Sequence, residues 1–297
     1  MVYDSARARV LLFGGYGNTN LGDTWEWDNE NWTQLEDIGP SARWGHGMTY
    51  DEARQRVVLF GGAVIQGTSY QSLNDTWEWD GEDWTQTADT GPSARHGVVI
   101  VYDSKRRRSV LFGGEQLLGK GGVGSLFGDT WVWDGAEWTQ EQDTGPVVRA
   151  FYGMAYDTGR DRVVLFGGLT YHPNDSDYTM LNDTWEYDAA KWTQVADTGP
   201  SLRHAMNLCY DGSRMLLFGG GLESLAHGIT VYRDTWQWDG KHWTERQDMG
   251  PIARYCAGAT GDTARNRVVL FGGASASTNF GDTWELFERP AAAPAPG

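Results

Sequence analysis

Val57-Val58-Leu59-Phe60-Gly61-Gly62 is followed, after a variable stretch, by Asp75-Thr76-Trp77-Glu78-Trp79, and reading these two runs together decides the fold. A short β-branched run closed by two glycines reads as a strand ending in a sharp bend, and the Trp-bearing run reads as a second strand. Phe-Gly-Gly recurs with its Phe at 13, 60, 112, 166, 218 and 271, and Asp-Thr-Trp recurs at Asp23, Asp75, Asp129, Asp183, Asp234 and Asp282. Gly-Pro followed by Arg marks five boundaries between the copies. The chain is therefore six units of about 52 residues.

Within the second unit the expected strands are residues 45–50, 56–60, 76–79 and 84–86, joined by tight turns at 51–55 and 80–83. They form a four-stranded antiparallel meander. One meander carries apolar groups on both faces and cannot bury them alone, so its neighbours stack on it and six close into a ring. Of 16 Trp, all but Trp44 fall at three repeated places: in Asp-Thr-Trp, two residues beyond it, or at the start of the fourth strand. Each such ring removes ~150 to 250 Å² from water, so these Trp read as glue between blades.

The di-glycine after an apolar strand, the downstream Trp and the period near 50 resemble kelch repeats, in the bacterial, galactose-oxidase-like style, over residues 1–288. That resemblance implies an all-β, six-bladed propeller of four-stranded antiparallel blades, with units at 1–34, 43–86, 95–140, 149–194, 203–245 and 254–288. For function it implies three classes: protein-binding domains, carbohydrate-linked enzymes such as sialic acid epimerases, and copper oxidases.

The ring has a seam. Met1 to Asp4 matches only the end of a first strand, and the last unit passes from Asp282-Thr-Trp through Phe287 into the Ala/Pro-rich tail 289–297 without a fourth strand. An open or non-covalently closed ring is expected, with self-association through the seam or a longer native chain as readings, and the tail reads as linker.

Composition narrows the partners. With 24 Lys plus Arg against 40 Asp plus Glu, the net charge of −16 argues against nucleic acid or an anionic membrane. No apolar run is long enough for a membrane span and no secretory signal is visible, which leads to an expectation of a cytoplasmic protein, with a mature secreted domain as the alternative. Cys209 and Cys256 read as small buried side chains.

Strand order puts the loops between first and second strands on one face. Those turns hold 13 basic residues, among them Arg54, Arg106, Arg160 and Arg214, and predict a basic annulus inside an acidic rim. The opposite face carries the inter-unit loops, where Asp37 and Arg43, Asp89 and Arg95, Asp143 and Arg149, Asp197 and Arg203, and Asp248 and Arg254 recur at one separation. Five Arg about one mouth would repel by roughly 1 to 2 kcal/mol per pair at ~10 Å. Either each pairs locally, with its Asp or with loop carbonyls, or the ring awaits an anionic ligand; by resemblance, kelch loop Arg contact acidic partners.

What every blade shares serves the blade, and what varies on one face is available for function. Just after the Arg the chain reads Trp44, His96, Ala150, His204 and Tyr255, with His46, Phe151 and Tyr152 close by. The loops between Gly-Gly and Asp-Thr-Trp are long in units two to five and carry Tyr70, Glu115, Tyr171, His172, Asp175, Asp177, Tyr178, Glu223, His227 and Tyr232, which predicts a one-sided cleft over the mouth. A metal at His96 and His204 lacks a third ligand, Asp175 and Asp177 lack a calcium-loop pattern, and Cys209 lies in the wrong region for a copper oxidase, so no metal or cofactor is expected. The preferred reading is a binding module for an acidic peptide, glycan or small anion. The alternative is an enzyme acting on a sugar acid, with Glu115 as acid or base, His96 or His204 as proton partner, and Arg95 or Arg203 holding a carboxylate.

Overall fold

Alternation of side chains along each short strand leaves every sheet with two partly apolar faces, and six sheets bury these faces against one another. The structure, a computed structural model, describes residues 1–35, 38–119, 124–142, 144–171, 178–224, 228–246 and 250–287. Among these there is no helix. Blade one is β1 (Val2–Asp4), β2 (Arg9–Tyr16), β3 (Asn20–Trp27) and β4 (Trp32–Gln34). Blade two holds β5 (Gly47–Asp51), β6 (Arg56–Phe60), an added hairpin β7 (Ala63–Gln66) and β8 (Ser69–Ser72), then β9 (Thr76–Trp79) and β10 (Trp84–Ala88). Blade three holds β11 (Val99–Asp103), β12 (Arg108–Gln116), the short β13 (Leu118–Gly119), β14 (Ser125–Trp133) and β15 (Trp138–Gln142). Blade four is β16 (Gly153–Asp157), β17 (Arg162–Tyr171), β18 (Tyr178–Tyr187) and β19 (Trp192–Ala196). Blade five holds β20 (Asn207–Tyr210), β21 (Met215–Phe218), the hairpin β22 (Gly221–Ser224) and β23 (Gly228–Val231), then β24 (Thr235–Trp238) and β25 (Trp243–Arg246). Blade six has, among the described residues, three strands: β26 (Gly258–Asp262), β27 (Arg267–Phe271) and β28 (Thr283–Phe287).

Five of the six joints between blades share one Trp-centred design among the described residues. The Trp that opens an outer strand lies on the Phe of the preceding blade's Phe-Gly-Gly, as in Trp138 on Phe60 with ring centroids 5.1 Å apart. Its indole N–H donates to the Thr of the preceding blade's Asp-Thr-Trp: Trp84 to Thr24 at 3.0 Å, Trp138 to Thr76 at 2.8 Å, Trp192 to Thr130 at 2.9 Å and Trp243 to Thr184 at 2.8 Å. The pairing gives the buried indole nitrogen a partner, so the whole ring can be removed from water without an orphaned donor. These Trp are interior cement, as their spacing implies.

The ring closes without a shared sheet. The inner strands β1, β5, β11, β16, β20 and β26 follow one another about the axis, and β26 packs back on β1. Trp32 of blade one donates to Thr283 Oγ1 of blade six at 2.8 Å and covers Phe271, while Tyr3, Val10 and Val269 form a buried cluster across the seam. Among the described residues blade six has no outer strand, and β28 is the edge of its sheet.

The basic turns do not form a charged annulus. Arg54 binds Asp51 and Glu78, both at 2.7 Å; Arg106 binds Asp103 at 2.9 Å and Asp161 at 2.7 Å; Arg160 binds Asp157 at 2.7 Å and Glu186 at 2.5 Å; and Arg214 binds the buried Asp211 at 2.5 Å. The first-strand Asp caps its own turn and neutralises the Arg three residues on. A shallow depression of about 250 Å³, lined by Glu52, Ala53, Tyr102, Ser104 and Arg107, lies on this face.

Candidate functional site

The five loop Arg look inward, not at the mouth. Arg43, Arg95, Arg149, Arg203 and Arg254 are almost wholly buried. Each guanidinium makes a two-pronged bond to the Asp of its own blade's Asp-Thr-Trp: Arg43 to Asp75 at 2.6 and 2.8 Å, Arg95 to Asp129 at 2.6 and 3.0 Å, Arg149 to Asp183, Arg203 to Asp234, and Arg254 to Asp282. The same Nη1 also donates to the first glycine of the di-glycine, as in Arg95 to Gly113 O at 2.9 Å. Burial opposes ionisation of Asp129, yet the hydrogen bonds and charge of Arg95 hold its pKa below the usual carboxylate range. Arg95, Arg203 and Arg254 also lie over the rings of Phe127, Tyr232 and Phe280.

The main chain of each Arg meanwhile belongs to the preceding blade. Arg95 N donates to Leu73 O at 2.9 Å and Arg95 O accepts from Gly62 N at 2.9 Å. Each Arg is thus a staple across a joint. The closeness of that approach dictates glycine: at Gly61, with φ of 67°, a Cβ would stand 2.6 Å from Arg95 O. The expectation that these Arg present charge to a ligand is corrected by this geometry, because bidentate pairing inside the joint consumes every donor pointing inward. Among the described residues the partners are Asp75 and its equivalents, and Asp89 and Asp197 make no ion pair with Arg95 or Arg203; Asp37, Asp143 and Asp248 lie outside the described residues. Tyr152 and Tyr232 move to the scaffold as well. Tyr152 is buried, donates to Phe112 O and accepts from Val99 N; Tyr232 lies under Arg203.

Immediately beyond each Arg the chain does face the axis. Gly45, Gly97, Phe151, Ala205 and Cys256 adopt left-handed φ of 64°, 62°, 55°, 52° and 54°. Successive N–H to O=C bonds link them, Gly97 to Gly45, Phe151 to Gly97, Ala205 to Phe151 and Cys256 to Ala205, at 2.7 to 2.9 Å. Left-handed backbone costs a non-glycine residue roughly 1 kcal/mol, so Phe151, Ala205 and Cys256 hold their places against an intrinsic preference.

Directly before these, Trp44, His96, Ala150, His204 and Tyr255 bridge Ala63, Glu115, Leu169, Gly221 and Ala274, the residues that follow each di-glycine. The rings form a belt: Tyr16 to Trp44 at 6.5 Å, Trp44 to His96 at 4.9 Å, His96 to Phe151 at 5.5 Å, Phe151 to His204 at 6.4 Å and His204 to Tyr255 at 6.3 Å between centroids. Trp44 and Phe151 are half-buried and face one another nearly parallel, 15° apart.

Among the described residues the belt contains one buried acid. Glu115 is 4% exposed, accepts from Tyr178 at 3.1 Å and stands 3.9 Å from His96 Nε2. Burial raises its pKa, and the Tyr178 hydroxyl only partly offsets that. His96 Nδ1 donates to Glu115 O at 2.8 Å, which leaves Nε2 as the acceptor in the neutral ring; burial lowers its pKa to about 4. Burial lowers His204 likewise. Ser72, not singled out from the sequence, braces the cluster: its hydroxyl accepts from Leu117 N at 3.0 Å and lies 3.4 Å from His96 Nδ1. Trp44 Nε1 and Thr170 Oγ1 are buried without a hydrogen-bond partner.

The long loops become hairpins on this side. β8 lies between β7 and β13, so hairpins of blades two and three share one small sheet carrying the half-buried Tyr70. In blade four Tyr171 opposes Tyr178 across an extended ladder, centroids 6.1 Å apart. Asn20 of blade one exchanges two hydrogen bonds with Ile65, bracing the β7 end. His172, Asp175, Asp177 and His227 lie outside the described residues. Cys209 is buried between blades five and six, with Leu216 and Val268.

Comparison with known proteins agrees with the architecture. The model of the KLHDC2/KLHL20/DRC7 kelch-repeats domain matches residues 84–273. Kelch domain-containing protein 10 of Homo sapiens is 24% identical over 198 residues, covering 60% of this chain and 43% of that protein. Its counterpart in Xenopus laevis is 26% identical over 195 residues, with 60% and 46% covered. The match thus spans less than half the length of these curated relatives. The solved structure of YjhT superposes with a TM-score of 0.70 at 14% identity, over 92% of this chain and 93% of that one. With half a dozen Phe-Gly-Gly blades and a family model that spans most of the ring, the chain belongs to the kelch-repeat family, whose propellers are in general interaction and binding scaffolds.

Proposed function

We propose that this propeller is a binding module whose mouth takes a neutral glycan. The reading among acidic peptide, glycan and small anion turned on the five loop Arg, and their internal pairing with Asp removes the cations on which an anionic ligand would depend. What supports a glycan is the unequal aromatic belt, with Trp44 and Phe151 offering flat apolar faces and Glu115, Tyr178 and His96 Nε2 offering hydrogen bonds. Apolar walls with a few placed polar groups are the usual composition of small-molecule sites.

A second reading, acid–base catalysis on a sugar, is favoured by one observation: Glu115 is a buried carboxyl of raised pKa beside a neutral His. Arg95 and Arg203 are not free to clamp a substrate carboxylate, so this reading too points to a neutral sugar rather than a sugar acid. Titration calorimetry with neutral oligosaccharides, alongside acidic peptides and sialic acid, tests both. Binding of a neutral oligosaccharide, lost in Trp44→Ala at unchanged melting temperature, is the expected result. Salt-sensitive binding of the acidic probes that survives Trp44→Ala would overturn it. Turnover abolished in Glu115→Gln with binding retained would favour the enzyme.

A further inference from the structure

The chemistry that turns an anion away from the mouth leaves the acids there unopposed. Of the basic groups next to the belt, the five loop Arg are spent on Asp, and burial keeps His96 and His204 neutral. Two carboxylates remain. Glu115 is the buried one, in contact with Tyr178. Glu223 is exposed on β22, two residues past the Gly221 that bridges His204, and opposite Ile229 of β23.

Glu223 reaches inward. Its charge acts on Tyr178 of blade four, on His204 ahead of blade five and on Tyr255 ahead of blade six, which places the carboxylate within the arc that these three rings span. Burial first, and then Glu115 and Glu223, push the Tyr178 hydroxyl up to about 12, so it stays neutral and its oxygen can accept a hydrogen bond. His204, only 7% exposed, lies between the rings of Phe151 at 6.4 Å and Tyr255 at 6.3 Å. Its Nδ1 is buried without a hydrogen-bond partner among the described residues. An orphaned ring nitrogen beside an exposed carboxylate is a group that a bound donor would satisfy.

We infer that this end of the mouth is an ammonium subsite, in which Glu223 supplies the counter-charge, the rings of Tyr178 and Tyr255 supply cation–π contact and His204 Nδ1 accepts a hydrogen bond. Aromatic rings beside a carboxylate suit an ammonium group, which both attract. A metal ion fits less well, because among the described residues no three His, Cys, Asp or Glu side chains gather as ligands. The net charge of −16 favours approach of a cation over an anion. The subsite adjoins the Trp44 and Phe151 platform without using it, so it goes beyond the glycan reading and does not depend on it. An ammonium group of this kind comes from an amino-sugar unit of a glycan seated on that platform or from a free small amine, and the two present the same chemistry to Glu223.

Calorimetric titration at pH 6 and low salt, with ethanolamine, the tetramer of glucosamine and the neutral N-acetylated form of that tetramer, tests the subsite. Either ethanolamine binds, or the amine tetramer binds about tenfold or more tighter than the acetylated one. Glu223→Gln is expected to remove that amine binding at an unchanged melting temperature, since the side chain is exposed. Tyr255→Ala is expected to weaken it by about threefold or more. A preference between the tetramers assigns the amine to the glycan; ethanolamine binding without that preference assigns it to a free amine. Equal binding of the two tetramers with no binding of ethanolamine would overturn the subsite and leave the glycan reading standing. Ethanolamine bound while neither tetramer binds would do the reverse. Amine binding that survives Glu223→Gln, or no binding of any probe, would also overturn the subsite.

Discussion

Asp75 and Asp23 open the same Asp-Thr-Trp in adjacent blades, each accepting an indole N–H from the Trp two residues on, yet among the described residues only Asp75 holds an Arg. The difference lies in what precedes the blade. Asp75 faces an inter-blade loop, whereas Asp23 faces the seam. One residue type at one repeat position is therefore a structural keystone in five blades and a spare carboxylate in the sixth. The lesson carries to the mouth: identity of sequence between repeats marks the joints, and the positions where repeats disagree are where the surface is free to differ.

The largest way to break this comparison is to widen the seam. Deleting Met1 to Arg9 removes β1 and half of the Tyr3, Val10 and Val269 contact with blade six, and the melting temperature should fall by about 10 °C or more. An unchanged value would show that β1 does not hold the ring closed. Next is a filled joint: Arg149→Met leaves Asp183 without its partner in a buried staple, with a cost of roughly 3 to 5 kcal/mol read from urea unfolding. A cost near that of a surface substitution would return Arg149 to the mouth.

A smaller effect sharpens the contrast between scaffold and site through pH. Folding lowers the pKa of His96 from 6.5 to about 4, so the unfolded chain binds its proton first. Stability from this group is present above pH 6.5 and is lost as pH falls toward 4. Glu115 acts in the opposite sense, since its raised pKa favours the fold at low pH and the benefit fades as pH rises through that value. His96→Gln should thus destabilise most at pH 7 and progressively less down to pH 4.5, and Glu115→Gln should stabilise more at pH 8 than at pH 4; differential scanning calorimetry across that range checks both signs.

Much of this architecture is legible in the chain because glycine and tryptophan are constrained in ways few residues are. The expected strand at 56–60 is β6, and that at 76–79 is β9, since Gly61 must take a positive φ and Trp77 and Trp79, two residues apart, must share one face of a sheet. The staple was not legible. Arg43 stands six residues from Asp37 in sequence, but the meander folds Asp75 against it from 32 residues away, and local spacing carries no trace of that. The one available signal was numerical: five loop Arg against an Asp repeated in every blade. Nor could spacing reveal that His96 and Glu115 bridge one another, because the hairpin bends at Gly113 and Gly114 before Glu115 returns to the mouth.

The most direct measurement of the whole account needs no ligand. Asp23→Asn and Asp129→Asn make the same change at the same repeat position, one facing the seam and the other facing Arg95. In paired thermal melts the account predicts a shift within about 1 °C for Asp23→Asn and a loss of about 8 °C or more for Asp129→Asn. Equal losses in the two, or none in either, would contradict the claim that the loop Arg hold the blades together.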